Sequence, residues 1–283
     1  MTELKIQIDP LVDTFLLDHI VAGAPLLPTV MQLDLVARAL PACCADREAP
    51  AGIMLREVVV GSAVRFDRPG PRELQVVSRR CGPGQAEPDA IRCELRSPGE
   101  PVAHLTALVE RTTGLVPPVP NPGAWGTRRP GGPDLVYPPF FHGPAFAVVG
   151  SFGRSATGLA ARLASGLPPV RWAATETVTR PRLLELLLQC CGLWELADSG
   201  RMMVPAGIER VHWHPDSLVA DRAGTALACV VPRPGPGDGG RVFDGQVLGP
   251  GGSVLVTVAG YRTTDLGHLP NLAHAARLRR CLD

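Results

Sequence analysis

A helix that is apolar around almost its whole circumference cannot lie on a surface, so the rest of a fold must be built around it. Residues 182–196 have that character. Leu183, Leu184, Leu186, Leu187, Leu188, Cys190, Cys191, Leu193 and Trp194 surround the axis, which predicts a long core helix from about Arg182 to Leu196. Two polar side chains interrupt it. Glu185 and Gln189 are four residues apart, so they share one face and line whatever cavity that face meets. Burial there is expected to push the carboxyl upward from a reference pKa near 4.3, toward the range where it holds a proton at neutral pH. On the pattern alone, a partly exposed helix glutamate with Gln189 as its neighbour is the alternative.

A second ionisable group stands in an apolar run far upstream, His19 in DHIVAGAPLLP. A fold seldom keeps such a group without a partner or a task, and two of them suggest one acid/base site. Around it the spacing is H-x-x-x-G-x-x-x-x-P, formed by His19, Gly23 and Pro28. Gly23 permits close backbone approach, and Pro28 is placed to open a helix whose free N–H groups favour a developing oxyanion. A histidine whose nitrogens merely satisfy nearby backbone is the structural alternative.

The organisation repeats. A helical pattern over roughly 28–40 is followed by strand-like runs beginning at Ile53, Arg72, Ala90 and Pro101, separated by Gly/Pro breaks that suit antiparallel hairpins. The stretch Gly114–Asp134 is too rich in Pro and Gly to continue either kind of element and reads as a linker. Beyond it come the apolar helix and strand-like runs beginning at Thr157, Ile208, Thr225, Val242 and Ser253. The expected division is a first unit over 1–113, the linker over 114–134, a second unit over 135–266 and a tail over 267–283. Each unit is one helix accompanied by an antiparallel sheet, an α+β architecture.

Composition narrows the chemistry. The chain has 283 residues, 45% of them hydrophobic, enough for a large core, and a formal charge of +1 with no basic stripe, which argues against nucleic acid as a partner. Its eight cysteines, among them the neighbours Cys43–Cys44 and Cys190–Cys191, show no C-x-x-C spacing, so no metal is expected. They read as small hydrophobes suited to a reducing compartment. The N-terminus lacks a signal-like pattern and no apolar run is long enough for a membrane span, so a cytoplasmic location without membrane partners is expected.

Several quoted motifs resemble those of polyketide synthase dehydratase domains. His19, Gly23 and Pro28 look like their HxxxGxxxxP motif, and Glu185 with Gln189 resembles their D/ExxxQ/H motif. Phe141-His142-Gly143-Pro144-Ala145-Phe146 is similar to the HGPxF or YGPxF segment that begins their second repeat. The runs from Val204 and Phe243 look like their closing strands. The ExxxQ form is closest to fatty-acid synthase dehydratases and to some iterative polyketide and polyunsaturated-fatty-acid systems.

That resemblance implies a double hot-dog fold and dehydration of a β-hydroxyacyl thioester on an acyl carrier protein's phosphopantetheine arm, with no other cofactor. His19 would be the base, Glu185 the acid, Gln189 an orienting group, and Gly23 a backbone donor to the thioester carbonyl. Pro28, Tyr137 and His142 are added as candidate substrate-orienting residues. Double-bond isomerisation or ring closure at the same site, and an inactive hot-dog scaffold, are the alternatives. Other synthase components and a second copy of the chain are the implied partners. Thr29, where relatives often have Gly, is expected to crowd the channel. Asp34 is a weaker candidate acid, and the Arg-rich run near Arg277 is read as a solvated tail.

Overall fold

The computed structural model describes residues 1–40, 52–68, 70–82, 90–112, 130–172, 178–218, 226–235, 241–268 and 272–282. Cys43, Cys44 and residues 114–129 of the expected linker lie outside them.

The first half runs β1 (Thr2–Ile8), a 3-10 turn (Thr14–Asp18), a minimal hairpin of β2 (Ile20–Val21) and β3 (Ala24–Pro25), and α1 (Thr29–Ala37). It continues with β4 (Gly52–Val60), β5 (Arg72–Arg80), β6 (Ile91–Arg96) and β7 (Leu105–Thr112). The second half holds α2 (Pro133–Val136), β8 (Val149–Arg154), β9 (Leu159–Leu163), α3 (Thr179–Ser199), β10 (Arg201–Trp213), β11 (Leu227–Pro234), β12 (Arg241–Leu248), β13 (Val254–His268) and α4 (Leu272–Leu282).

Eleven strands form one antiparallel sheet in the order β1-β5-β6-β7-β4-β10-β13-β12-β11-β9-β8. The strands of each half stay together, and the halves meet where β4 pairs β10, from Gly207 opposite Val59 to Trp213 opposite Ile53. The expected pair of wrapped helices is present. α1 packs on β4, β6 and β7, α3 packs on β8 to β13, and the two helices touch. This is the α+β double hot-dog architecture, one curved sheet shared by two enclosed helices.

The helix ends follow from the local sequence. Pro28 is the residue before α1, extended at φ −55° and ψ 143°, and its carbonyl accepts the first helical hydrogen bonds from Met31 and Gln32. At the far end of α3, Gly200 takes the left-handed conformation at φ 72°, which stops the helix and turns the chain straight into β10. α3 is longer than the apolar run predicts. Thr179, Arg180 and Pro181 extend it at the start, and Arg182 is buried because its guanidinium donates to the carbonyls of Ala145 and Pro168.

Two elements differ from the sequence reading. The expected tail contains a helix, α4, whose Ala275, Leu278 and Leu282 are buried beside α3. Arg279 donates to the Ala197 carbonyl and His274 to that of Leu135, so part of the basic run docks rather than being solvated. β1 is the other. It pairs with β5 from Thr2 opposite Ser78 to Ile8 opposite Arg72, as an edge strand too exposed to carry a strong apolar alternation.

Candidate active site

His19 closes the 3-10 turn and enters the β2–β3 hairpin. Its backbone N–H donates to the Leu16 carbonyl, its own carbonyl accepts from Leu26 N, and its Nδ1 lies 3.1 Å from the Leu26 carbonyl oxygen. A carbonyl can only accept, so Nδ1 carries the proton and Nε2 keeps its lone pair. The hairpin tip needs Ala22 at φ 50° and Gly23 at φ 80°. Gly23 is exposed and does not line the cavity described below; its conformational freedom serves the turn.

The second half reaches His19 through the segment from Phe140 to Phe146. His142 forms an isolated antiparallel bridge with His19, and the two ring centroids are 5.3 Å apart. Asp18 fixes this contact, its carbonyl accepting from Gly143 N at 2.7 Å and its carboxylate from Ala145 N at 2.9 Å. A Cβ at Gly143 would sit 2.4 Å from the Asp18 carboxylate, so only glycine permits the approach.

From α3, Glu185 and Gln189 meet the same place. His142 Nε2 lies 3.0 Å from Glu185 Oε1, and Gln189 Nε2 donates to that oxygen at 2.9 Å and to the Phe146 carbonyl at 2.8 Å. The Tyr137 hydroxyl donates to Gln189 Oε1 at 3.0 Å and accepts from Val149 N at 2.7 Å. That chain of bonds sets which way the Gln189 amide points. Tyr137 therefore stands behind the glutamine, outside the cavity lining.

His19, His142, Glu185 and Gln189 line one cavity of about 460 Å³. Thr29 is in its wall, while Pro28 is one residue outside it. α3 contributes Glu185, Leu188, Gln189 and Gly192, the i, i+3, i+4, i+7 face of one helix.

The electrostatics divide the two ionisable groups. Burial, reinforced by the neighbouring His142, lowers His19 to about 3, with Glu185 pulling only partly the other way. Its imidazole is neutral near pH 7, with a free Nε2. Glu185 departs from the sequence expectation. Burial does push its carboxyl up, but the hydrogen bonds from His142 and Gln189 and the electrostatic influence of the two neighbouring imidazoles outweigh burial and hold it below the usual glutamate range. Its helix neighbours could not show this, because His142 comes from another element.

Asp34 and three other histidines lie away from the cavity. Asp34 is fully buried in α1 but bound by Arg38 at 2.6 Å and by Arg180 at 3.3 Å, and does not line it. His104 is held between Ser62 and Ser97. His212 and His214 share a face with ring centroids 4.0 Å apart, yet no group of three metal-ligating side chains occurs among the described residues. Asp18 and Gly192 were not singled out from sequence. Gly192 had a signal in its spacing, three residues after Gln189; Asp18 had only its place before His19.

Comparisons with known proteins bear on the fold and the family. The family model "Polyketide synthase dehydratase domain" matches residues 4–92, and "Polyketide synthase dehydratase N-terminal domain" matches residues 135–272. No curated protein gave a significant sequence match. The dehydratase domain of PpsC from Mycobacterium tuberculosis, solved in complex with C12:1-CoA, superposes with a TM-score of 0.73 at 20% identity over 93% of each chain. A trans-AT polyketide synthase dehydratase domain from Brevibacillus brevis gives 0.73 at 18% over 94% of each, and the dehydratase domain from the CurF module of the curacin synthase gives 0.68 at 15% over 93% of each. The fold is thus that of a double hot-dog protein. The chain belongs to the polyketide synthase dehydratase family.

No helix among the described residues is long and apolar enough to cross a membrane.

Proposed function

We propose that this chain removes water from a β-hydroxyacyl thioester carried on the phosphopantetheine arm of an acyl carrier protein, giving the α,β-unsaturated thioester. The observation that carries this is the convergence of His19 and Glu185, from opposite halves of the chain, on one cavity. Elimination needs a base at the α-carbon and a proton donor at the β-hydroxyl, because hydroxide leaves poorly without a proton. Neutral His19 supplies Nε2 as the base. Glu185, with Gln189 beside it, is placed to meet the hydroxyl.

The electron count closes without a cofactor. The α C–H bond breaks toward His19 Nε2, its pair forms the new double bond, and the β C–O bond breaks as its oxygen takes a proton and leaves as water. Charge that builds on the thioester carbonyl needs backbone donors near the start of α1, where the first helical N–H groups have no partner within the helix. Support also comes from the relative solved with C12:1-CoA, since coenzyme A shares the pantetheine arm of a carrier protein. The acyl carrier protein and other synthase components follow as partners.

The test is to incubate the protein with a 3-hydroxyacyl carrier-protein or pantetheine thioester and to follow loss of water by mass spectrometry, in the native chain and in His19→Ala and Glu185→Ala. Native turnover with both variants reduced at least a hundredfold is expected. Equal turnover in all three refutes the assignment.

A further inference from the structure

Glu185 poses a problem that its own position does not solve. The leaving hydroxyl needs a proton, yet the carboxyl accepts hydrogen bonds from two neighbours and is held as a carboxylate by them. We infer that the acid in this protein is not Glu185 alone but the His142–Glu185 pair, with His142 Nε2 storing the proton that Glu185 Oε1 delivers. It rests on dehydration as the chemistry of the site.

The geometry carries the inference. His142 Nε2 and Glu185 Oε1 are 3.0 Å apart, with only 8% of each side chain exposed, so a proton between them is shielded from bulk water. A proton added to the pair lies between the ring nitrogen and the carboxylate oxygen, along that hydrogen bond. Loaded with the proton on the ring, the pair is imidazolium against carboxylate. Moving the proton along the hydrogen bond gives neutral ring and neutral carboxyl without changing the charge of the site.

His142 Nδ1 is buried with no hydrogen-bond partner among the described residues. In the loaded pair it carries an N–H. The other groups facing the pair do not compete for the proton. His19 is neutral with its Nδ1 proton on the Leu26 carbonyl, Gln189 has no acidic proton, Phe140 and Phe141 flank the ring, and burial raises the phenols of Tyr137 and Tyr261.

The cycle balances. In one turnover His19 gains the α-proton and the pair loses one proton to the departing hydroxyl, so the protein's total is unchanged. Transfer from His19 back to the pair, whose rings are 5.3 Å apart centroid to centroid, restores the starting state. His142 is thus a positioning and proton-storing residue that acts through Glu185.

His142→Gln separates storage from hydrogen bonding, because the amide still donates to the carboxylate but holds no titrating proton. With 3-hydroxyacyl pantetheine thioester, kcat at pH 7 to 8 is expected to fall at least tenfold in the variant with KM changed less than about twofold, and activity is expected to return as pH is lowered. An unchanged pH profile, or equal loss at every pH, overturns the inference. A second measurement needs no turnover. In the resting protein carrying ¹⁵N-labelled histidine and ¹³C-labelled glutamate carboxyl, the His142 ring is expected to take up the proton while the Glu185 carboxyl signal stays that of a carboxylate; a carboxyl that titrates before the ring overturns it. If the native chain turns over no thioester but the ring titrates first, the proton-storing pair stands and dehydration falls.

Discussion

Tyr137→Phe removes one oxygen atom from the chain of bonds behind Glu185, and its cost can be worked out from its two partners. The hydroxyl accepts from Val149 N and donates to Gln189 Oε1. Val149 is fully buried at the first residue of β8, so its N–H is left without this acceptor, a penalty of about 1–3 kcal/mol. A loss of that size lowers the melting temperature of a chain of this length by about 2–5 °C. Catalysis should suffer less. Gln189 Nε2 keeps its bonds to Phe146 and Glu185, so the amide stays oriented, and kcat is expected to fall by no more than about tenfold, about 1.4 kcal/mol, with KM unchanged. Differential scanning calorimetry and steady-state dehydration of a 3-hydroxyacyl thioester measure the two numbers. A kcat loss of a hundredfold or more would show that the phenol touches the substrate, and an unchanged melting temperature would show that Val149 N does not depend on it; either result refutes the account of Tyr137 as a residue behind the glutamine.

His19 makes acid destabilising. Its folded value of about 3 lies below the unfolded reference near 6.5, so the folded state binds fewer protons between those values, and stability full above pH 6.5 is lost as pH falls toward 3. His19→Phe should flatten that limb in melting curves taken across the window; a parallel decline in both proteins would contradict it. Asp34→Asn takes the charge from the link between Arg38 and Arg180, and an unfolding free energy lower by about 1–3 kcal/mol is expected by urea titration, with kcat for dehydration within about twofold of native. Gly192→Ala puts a methyl 3.2 Å from the Phe140 ring in the cavity wall. Turnover of a 3-hydroxydodecanoyl thioester is expected to drop by more than that of the 3-hydroxybutyryl thioester, and equal effects on both would mean that the methyl does not narrow the path of the acyl chain.

What could be read from sequence followed periodicity and range. The enclosed helix was legible because Leu183 to Trp194 are apolar apart from Glu185, Gln189 and Gly192, and the strands because Gly and Pro punctuate alternating runs. α4 was missed because its apolar positions, Ala275, Leu278 and Leu282, sit among arginines whose docking partners, such as the Ala197 carbonyl, are fixed only by the tertiary fold. The same limit applied within the site. Residue type and spacing singled out His19, Glu185 and Gln189, since each is an exception to its own surroundings. The sense of the Glu185 shift was not legible: desolvation belongs to the helix and can be read from it, whereas the opposing hydrogen bond comes from His142, forty-three residues upstream. Gly23 and Pro28 stand where their backbone conformations are needed, at a turn and before a helix, and neither lines the cavity.

The ladder between β4 and β10 has a mechanical consequence. His19 and Glu185 belong to opposite halves, and those halves are stitched by successive backbone pairs from Val59–Gly207 to Ile53–Trp213. Rocking one half away from the other would have to tear main-chain bonds in mid-sheet, so the gap between imidazole and carboxyl behaves as a fixed jaw. On the proposed reading, a thioester would then be admitted by movement of a rim segment or a side chain and not by parting of the halves.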